Sequence, residues 1–157
     1  GCTVGFGADP MGASFGVGGK GRVVGVESSP GRAAVTGHGL QHFLPGNYPL
    51  YGAMRRIEVV NMDYLDYLRQ QPDNAYDVVY FDPMFRKPLT ASNGISPLRS
   101  VANHAALSVE AVEEAKRVAR SRVVMKEANG SEEFGRLGFK KIMGGKYSKV
   151  HYGVMDL

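Results

Sequence analysis

Short runs of β-branched and aromatic residues recur along this chain with helix-like stretches between them, and that alternation restricts the fold more than any other feature. The runs are RVVGVE (22–27), RIEVVNM (56–62), DVVYFD (77–82), SRVVMKE (121–127), FKKIMG (139–144) and KVHYGVMDL (149–157). Strands that alternate with helices pair side by side in the same direction, so the pattern predicts an α/β fold with a mostly parallel sheet covered on both faces. The clearest helix is SVEAVEEAKRVARS (108–121), where Val109, Val112, Ala115, Val118 and Ala119 recur at helical spacing with Glu113, Glu114, Lys116 and Arg117 turned outward. DYLDYLRQQP (63–72) places Leu65 and Leu68 on one side and stops before Pro72, which predicts a short helix. Residues 30–55, rich in Gly and Pro, read as helix first and loop later. Only GKYSK separates the last two strands, too few residues for a helical crossover, so they should form an antiparallel hairpin.

The 157 residues, 43% of them hydrophobic, suffice for one ordinary core, and a single domain over 1–157 is expected. A formal charge of +4 has the sign a polyanionic partner would want, but the chain has no dense basic stripe. One cysteine, Cys2, excludes an internal disulfide framework, and His38, His42, His104 and His151 match no metal-ligand spacing, so no metal is expected. No stretch approaches the roughly 20 apolar residues of a membrane span, and the N-terminus lacks a signal-peptide pattern, which makes a cytoplasmic protein the expectation. Oligomeric state stays open.

Four stretches bear on chemistry. In TVGFGADPMGAS, Gly5 and Gly7 would let the backbone turn sharply and approach a ligand, and Asp9 with Pro10 opens a helix; a turn that serves the fold alone has the same look. A dinucleotide fingerprint needs a third glycine where Pro10 stands, GASFG (12–16) puts Ser14 inside a helix instead of on an elbow, and GGKG lacks the Ser or Thr of a P-loop. Glu27 ends its strand about twenty residues after Gly7, where an acid can accept both ribose hydroxyl protons or simply face solvent. Asp63 ends the next strand and could accept from an adenine amine or cap the helix that follows. Taken jointly, Asp9, Glu27 and Asp63 indicate a nucleoside-cofactor site.

A parallel sheet finished by an antiparallel hairpin resembles the Rossmann-like fold of the class I methyltransferases that use S-adenosyl-L-methionine. Within that resemblance, DPMF (Asp82, Pro83, Met84, Phe85) is similar to the D/N-P-P-Y/F motif of enzymes that methylate exocyclic base nitrogens. There the acid and the backbone carbonyl after it accept hydrogen bonds from the amine while the aromatic ring stacks on the base. Such an amine is a poor nucleophile because its lone pair is delocalised, so acceptors that localise and aim the lone pair supply the catalysis without an acid–base pair.

The flanks narrow the likeness. VVYFDPMFRKPLTASN, VESSP and GFGADP resemble the RsmJ-type family, which methylates the exocyclic amine of a guanine in small-subunit ribosomal RNA, together with its less characterised relatives. By that family's pattern, Ala8, Asp9, Glu27, Ser28, Asp63, Tyr64 and Asp82 would line the cofactor beside the Gly5–Gly7 turn. Met84 departs from the second proline of the broader motif. Gly1 stands where an acid usually ends the first strand, so either the chain is a piece of a longer protein or an abbreviated strand around Cys2 to Val4 fills that slot. In the loop RKPLTASNGISPLRS, Arg86, Lys87 and Arg99 would meet RNA phosphates, with Lys126 adding another cation, or the loop is merely solvated. The expected activity is methyl transfer to an exocyclic base amine, guanine N2 in ribosomal RNA. The alternatives are a methyltransferase for DNA adenine or a small amine, or an inactive cofactor-binding module.

Overall fold

All six expected strands are present in the structure, a computed structural model that describes residues 21–42, 52, 54–83 and 106–157. The chain divides into two compact units, residues 1–67 and 68–157. In the first, β1 (Val23–Glu27) is followed by α1 (Pro30–His42) and β2 (Ile57–Asn61), and the two strands pair in parallel from Val23 opposite Ile57 to Glu27 opposite Asn61. Every residue of β1 is buried, as a continuous apolar run in a parallel sheet requires. Val23, Leu40, Met54 and Ile57 form a core cluster, with Val59 against it.

Helix α1 begins where the chain supplies both a cap and a pre-set φ. The Ser29 hydroxyl accepts from the Arg32 N–H at 3.4 Å, its carbonyl accepts from the Ala33 N–H at 2.9 Å, and Pro30 takes the first helical position, where no N–H is wanted. After the helix, the Arg55 guanidinium donates to the Leu40 carbonyl, tying the last turn to the residues before β2. The expectation of helix and then loop holds for 30–42, but residues 52 and 54–55 are helical too.

In the second unit the strands β3 (Tyr76–Phe81), β4 (Ala119–Ala128), β5 (Lys141–Met143) and β6 (Val150–Asp156) lie in the order β3-β4-β6-β5. β3 and β4 run parallel, while β6 is antiparallel to both β4 and β5, which is the expected hairpin. The short helix α2 (Tyr64–Gln70) precedes β3, α3 (Val109–Val118) joins β3 to β4, and α4 (Glu133–Arg136) lies between β4 and β5.

Three details of α3 differ from the sequence reading. The chain turns extended at Ala119, so the strand follows the helix with no linker. The buried stripe is Ala111, Val112, Ala115 and Val118; Val109 is 51% exposed because it lies about 130° around the helix from that stripe at 100° per residue. Nor is Arg117 simply turned outward. Its guanidinium donates to the Leu68 and Gln71 carbonyls at 2.9 and 2.8 Å, closing the C-terminal end of α2, and pairs with Asp73 and Glu114. Hydrogen bonds to Asp73 and then Glu114 hold its pKa above the ordinary range.

One face of this sheet carries the core. Val79, Phe81, Val123 and Met125 are buried there with the stripe of α3 and with Phe134. On the other face Val154 is buried, while Val78, Tyr152 and Met143 remain 45%, 40% and 52% exposed. Helix α4 ends in a Schellman turn: Gly138 adopts φ 84°, and the Phe139 N–H reaches the Phe134 carbonyl at 2.8 Å. That turn brings both phenyl rings over Gly153, where a Cβ would come within 2.8 Å of each. Gly153→Ala should therefore lower stability by about 1–3 kcal/mol in urea unfolding. Gly135→Ala, with nothing within 4 Å of its Cβ position, should be neutral or stabilising by up to about 1 kcal/mol. Equal effects would show that the rings do not rest on Gly153.

Candidate functional site

Strands that run the same way finish at the same edge, and at the carboxyl ends of β1 and β2 this brings Glu27, Ser28, Asp63 and Tyr64 to one side of the first unit. Asn61 fastens that edge, its side-chain amide donating to the Glu27 and Ser28 carbonyls at 2.8 and 3.1 Å, while the Met62 N–H donates to the Glu27 carbonyl at 3.1 Å.

Glu27 does not face solvent; it is 1% exposed. Its Oε1 accepts from the Ser29 N–H at 3.0 Å and from Arg32 Nη2 at 2.7 Å, a buried ion pair across the strand-to-helix turn. Its Oε2 is buried and has no hydrogen-bond partner among the described residues. An unmet buried acceptor costs about 1–3 kcal/mol, so this oxygen calls for a donor. A ribose hydroxyl is such a donor, and the site therefore fits the sugar of an adenosyl cofactor.

Asp63 shows the second of its two expected behaviours. Its Oδ1 accepts from the Leu65 and Asp66 N–H groups at 2.9 and 3.2 Å, capping α2. Tyr64 opens that helix and is half-buried, and Ser28 is exposed.

In the second unit Asp82 and Pro83 follow directly on β3, both partly exposed. Lys126 occupies the same level of the neighbouring strand, and its Nζ lies 3.7 Å from Asp82 Oδ2. The cation expected to meet phosphate thus stands beside the acid expected to hold the target amine. Gly5, Gly7, Ala8, Asp9, Met84, Phe85, Arg86, Lys87 and Arg99 lie outside the described residues, as does the possible strand at Cys2 to Val4.

The sequence reading missed Arg32 and Asn61. Arg32 could have been found as a basic residue one helical turn into the element after a strand-end acid; Asn61 is legible only once the two strands are paired in register. Among the described residues, no group of three or more His, Cys, Asp and Glu side chains could hold a metal ion, and no helix is long and apolar enough to cross a membrane.

Parallel strands with acids at their carboxyl ends, completed by an antiparallel hairpin, make a Rossmann-like class I methyltransferase fold. The chain belongs to the family described as "Putative SAM-dependent methyltransferase", matched over residues 1–149, and that family's cofactor is S-adenosyl-L-methionine. It is 44% identical over 155 residues to the uncharacterized protein YpiP of Bacillus subtilis (strain 168), covering 99% of this chain. The chain spans 60% of the length of that relative. A solved S-adenosylmethionine-dependent methyltransferase of Neisseria gonorrhoeae superposes with a TM-score of 0.69 at 21% identity, over 97% of this chain and 58% of that one. A Clostridium thermocellum structure described as a "putative rRNA-methylase" does so at 0.58 and 13% identity, over 98% and 84%. At such identities the likeness is one of fold.

The buried pair sets a stability test. Arg32→Met strands the Glu27 carboxylate and should cost about 3–5 kcal/mol in urea unfolding. Adding Glu27→Gln should recover a substantial part of that loss, because the uncompensated charge is gone. A single-variant cost below about 1 kcal/mol would show that the pair is not buried.

Proposed function

We propose that residues 1–157 act as one catalytic domain, in the cytoplasm, that methylates an exocyclic base amine in RNA, with guanine N2 of small-subunit ribosomal RNA as the acceptor. The observation that carries this reading is Asp82: a carboxylate held at the end of a parallel strand, beside a lysine, at the head of DPMF. Membership of the methyltransferase family supports the reaction class, and the rRNA-methylase description of one fold relative supports RNA as substrate.

S-adenosyl-L-methionine would supply an electrophilic methyl group on a sulfonium. Glu27 would accept from its ribose, with Ser28, Asp63 and Tyr64 at the same edge and Gly5, Gly7, Ala8 and Asp9 completing the binding turn. Asp82 and the Pro83 carbonyl would accept from the amine, localising its lone pair and aiming it, while Met84 and Phe85 hold the base, Phe85 by stacking. The Lys126 ammonium, 3.7 Å from Asp82, orients the carboxylate. Arg86, Lys87 and Arg99 would meet phosphates.

Calorimetry should show binding of S-adenosyl-L-methionine and none of NAD, since Pro10 replaces the third glycine of the dinucleotide fingerprint. Glu27→Ala should weaken cofactor binding by about 1.5–3 kcal/mol. In methyl-transfer kinetics, Asp82→Ala should abolish turnover at saturating RNA, whereas Phe85→Ala should lower kcat/KM by about 1–3 kcal/mol with cofactor affinity retained. Near-parental turnover in Asp82→Ala, or loss of cofactor binding in Phe85→Ala, would make DPMF a structural turn.

A further inference from the structure

The register of the second unit sets Lys126 opposite Tyr152, and Tyr152 opposite Met143, so one row of side chains runs from Asp82 across the sheet to its edge. Paired residues share a face, and Tyr152 stands two strand spacings from Asp82, about 10 Å. Beyond the row lies the hairpin turn, residues 144–149. Tyr147 there is 90% exposed, with Lys146 Nζ 5.7 Å from its ring centroid.

This turn is held in place. Asn129 at the end of β4 donates from its backbone to the Lys149 carbonyl at 2.9 Å and from its side chain to the Ser148 carbonyl at 3.2 Å. The Ser148 N–H donates to the Gly145 carbonyl at 3.0 Å, and Gly144 lies so close under the His151 ring that a Cβ would come within 2.1 Å of it.

The charge is one-sided as well. Residues 134–155 hold Arg136, Lys140, Lys141, Lys146 and Lys149 and no Asp or Glu. Arg136 and Lys141 are engaged by Glu133 and Asp156, while Lys140, Lys146 and Lys149 are exposed. An exposed aromatic ring flanked by cations, on a braced turn at the same sheet edge as the acid, has the chemistry of a single-stranded nucleic-acid platform: the ring stacks on a base and the lysines meet phosphates.

Resting on the RNA reading above, we propose that Tyr152 and the turn residues Lys146, Tyr147 and Lys149 form the surface on which the unpaired RNA flanking the target nucleotide lies. The strand leaves Asp82, crosses Tyr152 and reaches Tyr147.

The test measures RNA affinity against salt, and methyl transfer, in the full chain and in Tyr147→Ala, Tyr152→Ala and Lys146→Ala/Lys149→Ala. Tyr147→Ala should weaken RNA binding about 5- to 100-fold. The lysine pair should lower the log–log salt slope by about 1.4, at roughly 0.7 per phosphate contact on single strands. In each variant the effect should fall on the KM for RNA, with cofactor affinity unchanged. RNA labelled with 4-thiouridine should crosslink to a peptide within 140–152. Parental affinity and salt slope in all three variants, or crosslinks that avoid this segment, overturn the surface and leave the RNA reading standing. A parent that binds and methylates no RNA overturns both. A parent dimer that Tyr147→Ala converts to monomer, with RNA affinity unchanged, would make this face a contact between copies and overturn the proposal.

Discussion

Parallel pairing is the constraint from which the site follows. Two strands running the same way must end at one edge, where the ladder stops and freed polar groups need side chains or a ligand to meet them. In the first unit that edge is closed by Asn61 on the Glu27 and Ser28 carbonyls and by Met62 on Glu27 again. In the second, the same geometry sets Asp82 beside Lys126. Asp82, partly exposed, stands at the first position beyond the β3 ladder, whereas Glu27 ends β1 inside the core.

Glu27 shows how such an acid is tolerated inside. A buried carboxylate without compensation would cost several kcal/mol, and the Ser29 N–H and Arg32 Nη2 meet that cost at Oε1 alone. Oε2 stays without a partner among the described residues, as does Arg32 Nε. A local breach of polar satisfaction at a strand end is where a binding function is expected to show itself.

Strand positions were legible because β-branched runs leave few other readings, and the hairpin was legible because its turn is too short for a crossover. Helix boundaries were less so. Nothing in VARS distinguishes helix from strand, and Ala119 turns extended only because β4 pairs with β3 at Tyr76. The four-residue α4 has no room for a periodic signal. Lys126 and Arg117 could not be placed from sequence, since what each side chain reaches depends on a neighbouring strand or helix. Asp63 reads as a ligand group or a cap, and in the structure its Oδ1 caps α2. The glycine turn and the residues after Pro83 lie outside the described part of the chain, so the likeness of DPMF to a base-amine motif rests on Asp82 and Pro83 in the structure and on sequence beyond them.

The central claim is that the carboxyl edge bearing Asp82 directs a methyl group to an exocyclic amine of an RNA base. Small ribosomal subunits incubated with the protein and S-adenosyl-L-methionine carrying a labelled methyl group can be digested to nucleosides and resolved by mass spectrometry. The account predicts label on the exocyclic nitrogen of one nucleoside, N2-methylguanosine. Label on a ribose oxygen or a ring carbon, or on none of the nucleosides while the cofactor binds, would contradict it.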